Sequence, residues 1–237
     1  MLGRSLGNGS DMPVISVANP KGGAGKSTVA LVVGTTLASK GATVTILDCD
    51  PNQPIAVWGK GQERAGLRVL SQISEREIIS AIDAESAERQ FVLVDLEGTA
   101  SRMVSRALSR SDLVLIPMQA SAVDAAQAAR AVGLIREEEQ VIRRPIPYRV
   151  LFTRTSPAIP TRAEKAIVAE MQRNGITVLS THLNERAAFK ALFAYRRTLA
   201  ELDPEKVSGV PAATENANKL SGEVVGVVRQ LAKGEAA

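Results

Sequence analysis

Hydrophobic residues gather in short runs separated by polar and turn-forming stretches: "PVISVA" (13–18), "TVTILD" (43–48), "FVLVD" (91–95), "LVLIP" (113–117), "RVLFT" (149–153) and "ITVLS" (176–180). The runs are rich in β-branched residues and too continuous to alternate between core and solvent. They predict strands covered on both faces. "LRVLS" (67–71) is a candidate for a further strand. Between the runs lie helical patterns. Residues 26–39 are small and β-branched, as in a buried helix, and residues 121–138 place Ala, Val, Leu and Ile at helical spacing before ending in "REEE". Thr161 with Glu164 forms a capping-box pattern ahead of Ile167, Val168 and Met171. This alternation predicts an α/β fold, doubly wound, with a mostly parallel sheet, right-handed crossovers and helices on both faces. "RRPIPYR" (143–149) reads as a turn between layers. The expected organisation is a flexible lead over 1–12 and a single domain over 13–237.

Composition narrows the picture. A chain of 237 residues, 45% of them hydrophobic, is long enough for one large core. No run approaches the roughly 18 to 20 apolar residues needed to span a bilayer, and "MLGRSLGNGSDMP" has no apolar signal-peptide core. A lone cysteine, Cys49, excludes an internal disulfide, and the cytoplasm is the expected compartment. The net charge of +4 is a mild basic excess that suits a polyanionic partner. With aromatics at 3%, the chain lacks the rings on which single-strand binders stack bases, so duplex phosphates are the expected target if nucleic acid is bound.

In a doubly wound sheet, ligands bind beyond the carboxyl ends of the strands. "GGAGKST" (22–28) follows the first predicted strand and opens a helix. That context makes a glycine loop meaningful, because the backbone N–H groups of Gly22, Gly23, Ala24 and Gly25 can turn toward a phosphate at a helix N-terminus. Lys26 can then reach β- and γ-phosphates, and Ser27, followed by Thr28, offers a hydroxyl to Mg²⁺. The stretch fits G-x-x-x-x-G-K-[ST] only with Pro20 in place of the first glycine. Three carboxylates end strands nearby: Asp48 and Asp50 in "ILDCDP", and Asp95 in "VLVDLEG". An acid at the end of an apolar strand is costly unless something satisfies it, and Mg²⁺ with its waters would do so. A lone strand-end Asp is ordinarily a helix cap; three converging on one loop favour metal. No N/T-K-x-D guanine motif follows, so ATP is the expected nucleotide. Lys21, five residues before Lys26, has no task in this scheme.

At these residues the chain resembles the ParA/MinD family of deviant Walker A ATPases. "KGGAGKST" is similar to the family's KGGxGK[ST] box, "DCDPNQ" resembles its D-x-D-P-Q box, and "FVLVDLEG" resembles its Walker B strand. The segment "NERAAFKALFAYRRTLAELDPEK" (184–206) looks like a ParA stretch after the last core strands, so the resemblance spans nearly the whole chain. It is strongest to short plasmid-partition ParA and VirC-type proteins. The resemblance implies a P-loop ATPase fold and an ATP-dependent sandwich homodimer in which Lys21 reaches phosphates bound by the partner. It further implies that Asp50 positions the attacking water, Asp48 supports Mg²⁺, Asp95 binds Mg²⁺ through water, and hydrolysis is slow until a ParB-like or other cargo-linked activator acts. Two departures stand out. Leu96-Glu97-Gly98-Thr99 replaces the Thr-Pro-Pro or Thr-Pro-Gly of many relatives, which makes Glu97 a switch-loop carboxylate or, alternatively, a γ-phosphate sensor. "NQP" replaces the usual Gln-Gly after the aspartates.

ParA-like proteins bind duplex DNA without sequence preference; MinD-like ones bind membranes. The final segment has Leu220, Val224, Val227 and Leu231 in a stripe without aromatics, which is expected to pack on the domain rather than on lipid. The DNA candidates are Lys190, Arg196, Arg197 and Lys219, with Arg229 and Lys233 on the last helix. The expected function is a ParA-type switch, nucleoid-associated, that partitions a plasmid or chromosome or positions a cargo. The alternatives are a MinD-like membrane-associated ATPase and a small-molecule synthetase resembling dethiobiotin synthetase. Nitrogenase-type iron proteins, which need two cluster cysteines per chain, and bacterial tyrosine kinases, which carry a tyrosine-rich tail, are weaker matches.

Overall fold

The chain starts its sheet in the middle and winds outward in both directions. In the computed structural model, which describes residues 12–98, 101–157 and 161–234, seven parallel strands lie in the order β3-β2-β4-β1-β5-β6-β7. They are β1 (Val14–Val17), β2 (Val44–Cys49), β3 (Leu67–Leu70), β4 (Phe91–Leu96), β5 (Leu113–Met118), β6 (Tyr148–Thr155) and β7 (Leu183–Asn184). The helices are α1 (Lys26–Ser39), α2 (Pro54–Gly59), α3 (Ile78–Glu88), α4 (Arg102–Leu108), α5 (Ala122–Ile142), α6 (Arg162–Arg173), α7 (Ala187–Tyr195) and α8 (Val210–Ala232), with a 3₁₀ turn at Leu199–Glu201. Residues 1–11 of the expected N-terminal lead fall outside the described residues.

Burial explains the continuous apolar runs. Every residue of β1 and β5 is buried, because helices cover both faces. Ile15, Val17, Ile46, Leu93 and Leu115 face one cluster with α1, α2, α7 and α8. Val14, Leu47, Val94 and Ile116 face the other with α3 to α6. The C-terminal stripe belongs to the first cluster: Leu220 and Val224 are fully buried, Val227 nearly so, and Leu231 packs at the margin. The expected packing on the domain therefore holds.

Five of the six strand runs, together with "LRVLS", form strands, and α1 occupies residues 26–39 as expected. The capping box of α6 forms, with the Thr161 hydroxyl accepting from the Glu164 N–H. Helix α5 continues past "REEE" to Ile142 and stops where Arg143 turns left-handed, at φ 55° ahead of Pro145. The run 176–180 is the exception, for only Val178 bridges, to Val150. Glu223 on α8 accepts the Ser180 and Thr181 N–H groups at 2.7 and 2.8 Å, which turns the chain off the sheet edge. The sheet is completed instead by β7, three residues later.

The entry into β3 yields a stability prediction. Gly66 has φ +74°, and a Cβ there would lie 2.7 Å from the Ala42 carbonyl oxygen. Its own carbonyl accepts the Val44 N–H at 2.7 Å, so the backbone has no room to relax. Gly41 also has a positive φ, +88°, but faces open space. Gly66→Ala is expected to cost about 2 kcal/mol in urea unfolding, and Gly41→Ala about 1 kcal/mol. Equal costs would show that the collision with Ala42 contributes nothing.

Candidate active site

Sheet order reverses around β1, whose neighbours β4 and β5 lead in opposite directions, and the site lies at that switch point. Residues 19–25 join β1 to α1. Gly25, at φ 98°, caps α1 without a side-chain bond, so the first N–H groups of the helix remain available to an anion. Two residues that sequence reasoning did not single out pin the loop. The buried Asn19 donates to the Pro117 carbonyl at 2.7 Å and accepts the Lys21 N–H at 2.7 Å. The Thr153 hydroxyl donates to the Ala24 carbonyl at 2.9 Å, tying the loop to β6. The only sequence signal for Asn19 was its place just before Pro20; Thr153 had none. Gly22 and Gly23 are exposed at the mouth, and Ser27 and Thr28 are half-buried in the first turn of α1.

Lys26 is buried, with Nζ 3.4 Å from the Lys21 carbonyl. Burial lowers its pKa, while Asp95, Asp50 and Glu97 act in the opposite direction. Asp95 is fully buried on β4, and neither carboxylate oxygen has a hydrogen-bond partner. Burial pushes its carboxyl up to about 7, against the pull of the Ser27 hydroxyl and Lys26 and with the repulsion of Asp48 and Asp50. An orphaned buried carboxylate beside a hydroxyl is a hard-oxygen environment that suits Mg²⁺. Among the described residues no three His, Cys, Asp or Glu side chains form a cage. Mg²⁺ needs none, since it commonly takes one or two carboxylates and completes its shell with water and phosphate.

Asp48 and Asp95 face each other across β2 and β4 in register. Asp48 is nevertheless engaged elsewhere: Oδ2 accepts the Ile55 and Ala56 N–H groups, both at 2.8 Å, and so caps α2. Burial raises its pKa against these bonds. Asp50 is half-exposed and accepts the backbone and side-chain N–H groups of Asn52 at 2.8 and 3.0 Å through Oδ1. "NQP" thus acquires a physical account. Asn52 closes a turn on Asp50, Gln53 takes a left-handed φ of 48°, and Pro54 opens α2, where its missing N–H costs nothing. The half-buried Cys49 has its thiol pushed up to about 12, by burial first and then by Asp48, Asp95 and Glu97. It is no nucleophile at neutral pH.

The segment after Asp95 leans on the loop. A Cβ on Gly98 would lie 3.1 Å from the Pro20 carbonyl oxygen and 3.3 Å from Lys26 Nζ, so the backbone passes close against the loop and a larger residue would have to push it back by a few tenths of an ångström. Half-buried Glu97 precedes it, and Thr99 lies outside the described residues. Lys21 does not enter its own loop. Its Nζ bonds both oxygens of Asp124 at 3.0 and 2.9 Å, and Asp124 also takes the Ser121 hydroxyl at the start of α5. Lys21 is 34% exposed while Asp124 is 3% exposed.

The DNA candidates are not brought together as a row of free cations. Lys190 pairs with Glu185 at 2.8 Å and Lys219 with Glu215 at 2.7 Å. Arg196 donates through Nε to the Trp58 carbonyl at 3.3 Å and through Nη2 to the Lys60 carbonyl. Arg197, Arg229 and Lys233 are exposed, without an ion pair among the described residues.

Known proteins share this chain's sequence pattern and fold. The family model described as VirC1 protein matches residues 12–219. "Protein ParA" of Rhizobium radiobacter is 46% identical over 211 residues, covering 89% of this chain and 95% of that protein. An ATP complex of McdA from Cyanothece superposes with a TM-score of 0.73 at 16% identity, over 91% of this chain and 97% of that one. The cell division protein MinD of Aquifex aeolicus gives 0.67 at 20% identity, over 89% and 97%. A family model spanning most of the chain and a ParA relative aligned over nearly its full length agree with a sheet shared with McdA and MinD: the chain belongs to the VirC1 family, within the ParA/MinD proteins.

Proposed function

We propose that this chain is an ATP-driven switch that dimerises around Mg²⁺–ATP, holds duplex DNA in that state, and is reset by a cargo-linked activator. The observation that carries the reading is Lys21. The loop already has its phosphate cation in Lys26, so a second lysine at its mouth serves something outside the loop. Lys21 is partly exposed and folded back on Asp124, poised for the phosphates of a second copy.

Lys26 and the N–H groups from Gly22 to Thr28 would hold the phosphates, and Ser27 and Asp95 would hold Mg²⁺. The metal, when bound, neutralises charge developing on the phosphates. Asp48 sets α2 and, through it, the turn that carries Asp50. Asp50 Oδ2 takes no hydrogen bond among the described residues and is free to orient a water. A half-exposed carboxylate is a weak base, so orientation outweighs proton abstraction and turnover without an activator is slow.

The apolar stripe of α8 packs into the core, which supports the DNA reading over the membrane one. No described helix is long and apolar enough to cross a bilayer. A cytoplasmic, nucleoid-associated protein with a ParB-like activator and a plasmid, chromosome or other cargo fits this reading. Binding to a random-sequence duplex should require ATP and weaken steeply with salt, with a slope of about −0.9 per neutralised phosphate. Equal binding with ADP, or none at low salt, would end the DNA reading.

The Asp124 contact makes a separate prediction. Asp124→Asn keeps the Ser121 bond but removes the charge that holds Lys21; with Asp124 buried and Lys21 partly exposed and screened by solvent, the hold is taken as about 1 kcal/mol. The ATP-dependent dimer is therefore expected to tighten about fivefold in sedimentation equilibrium. An unchanged or weaker dimer would show that Asp124 does not restrain Lys21.

A further inference from the structure

Helix α2 has six residues, too few to be stable alone, and it is tied down at both ends. At its N-terminus Asp48 Oδ2 takes the Ile55 and Ala56 N–H groups at 2.8 Å. Beyond its last turn the Arg196 guanidinium takes the Trp58 and Lys60 carbonyls, the groups a helix leaves without partners. Between the two, Trp58 Nε1 donates to the Arg197 carbonyl at 3.1 Å. The Arg64 guanidinium lies 4.1 Å above the Trp58 ring and donates to the Arg196 carbonyl at 2.9 Å, while its Nε bonds Glu201. The carbonyls of Arg196 and Arg197, on two consecutive peptides, are thus held by Arg64 and Trp58 respectively. Arg196 makes these contacts from a left-handed φ of 53° at the end of α7, a strained position for a residue with a Cβ.

A single short helix therefore connects the acid at the end of β2 to the 196–197 segment, across about 9 Å of helix. Asp50 sits in the turn that leads into the same helix. We propose that Arg196 is a positioning residue of the nucleotide site: by holding the carboxyl end of α2, it fixes the orientation of the Asp48–Asp50 turn. On this assignment its guanidinium is committed to the Trp58 and Lys60 carbonyls and is not offered to nucleic acid, whereas the Arg197 side chain is exposed. The coupling runs both ways, so a nucleotide that shifts Asp48 also shifts the 196–197 backbone. This assignment rests on the ATP-switch reading.

Trp58 is the chain's single tryptophan and reports on the clamp directly. The test measures steady-state hydrolysis without DNA, ATP affinity, and the Trp58 emission change on adding Mg²⁺–ATP. It compares the unmodified chain with Arg196→Ala, Arg196→Lys and Arg197→Ala. Arg196→Ala is expected to lower kcat about tenfold, as loss of a supporting contact commonly does. ATP affinity should stay within about twofold, which also shows that the site is folded, and the ATP-dependent emission change should disappear. Arg196→Lys, which restores one of the two bonds, should recover part of both losses. Arg197→Ala supplies the comparison for duplex binding, measured alongside. The proposal is overturned if Arg196→Ala keeps kcat and the emission response while weakening duplex binding as Arg197→Ala does. If the unmodified chain neither hydrolyses ATP nor changes its emission with it, the switch reading itself fails, and the assignment falls with it.

Discussion

Lys21→Ala is expected to bind ATP as tightly as the unmodified chain and yet stay monomeric in its presence. The ATP affinity follows from the loop, where phosphate contacts come from Lys26 and backbone N–H groups, and Lys21 points away to Asp124. The loss of association follows from what a sandwich dimer would do to Lys21. Its ammonium would leave a half-exposed ion pair for a dry interface facing phosphates. Truncating one partner of a buried charge contact costs about 2–5 kcal/mol, or roughly thirtyfold to several thousandfold in dimer affinity. Lys26→Ala makes the contrast, since it should lose ATP itself. If Lys21→Ala dimerised normally with ATP, the mouth of the loop would not be a dimer contact, and Lys21 would be a loop-bracing residue paired to α5.

Asp95→Asn is expected to stabilise the protein without nucleotide or metal, in a pH-dependent way. The Asp95 carboxyl is raised from an ordinary value near 3.8 to about 7, chiefly by burial. Between those values the folded protein holds a proton that the unfolded chain has lost, so stability falls as pH rises through that window. Asparagine has no charge to bury. The two proteins should therefore melt alike near pH 4 and diverge toward pH 8 by on the order of 3 kcal/mol, or roughly 6–12 °C. Melts in chelator across this range check it, and a pH-independent difference would mean that Asp95 is not an uncompensated buried acid. With Mg²⁺ and ATP added the order should narrow or invert, because only the carboxylate gains a cation. Asp95 would thus be strained in the empty protein and relieved by its ligand, the pattern expected of a functional group.

Much of this was written plainly in the chain. Strands buried on both faces appear as unbroken apolar runs, and the glycine loop fixes where α1 begins, so β1, α1, β2 and β4 fall where the pattern puts them. Features made by distant partners were not legible. Nothing in "ITVLS" tells of Glu223, 43 residues on, which takes the N–H groups of Ser180 and Thr181 and ends the pairing. The Lys21–Asp124 pair spans 103 residues and joins the phosphate loop to the first turn of α5. The helix-capping task of Asp48 depended on α2, which is too short to show a period and is announced only by Pro54. One signal was available and passed over. Glu215 and Lys219 stand four apart on α8, the spacing at which a glutamate neutralises a lysine, so Lys219 was a weak DNA candidate from the outset. The reverse applies to Arg196: its sequence neighbourhood looks like a basic loop, and its side chain proves to be a helix C-cap reached across 138 residues.

The central claim is that ATP, and not ADP, joins two copies of this chain through the mouth of the phosphate loop. Light-scattering mass in solution tests it most directly, with Mg²⁺–ATP, with Mg²⁺–ADP and without nucleotide. A 25.1 kDa particle that doubles in mass only with ATP, and returns as ATP is consumed, is the predicted result. A mass that is the same in all three conditions would contradict it.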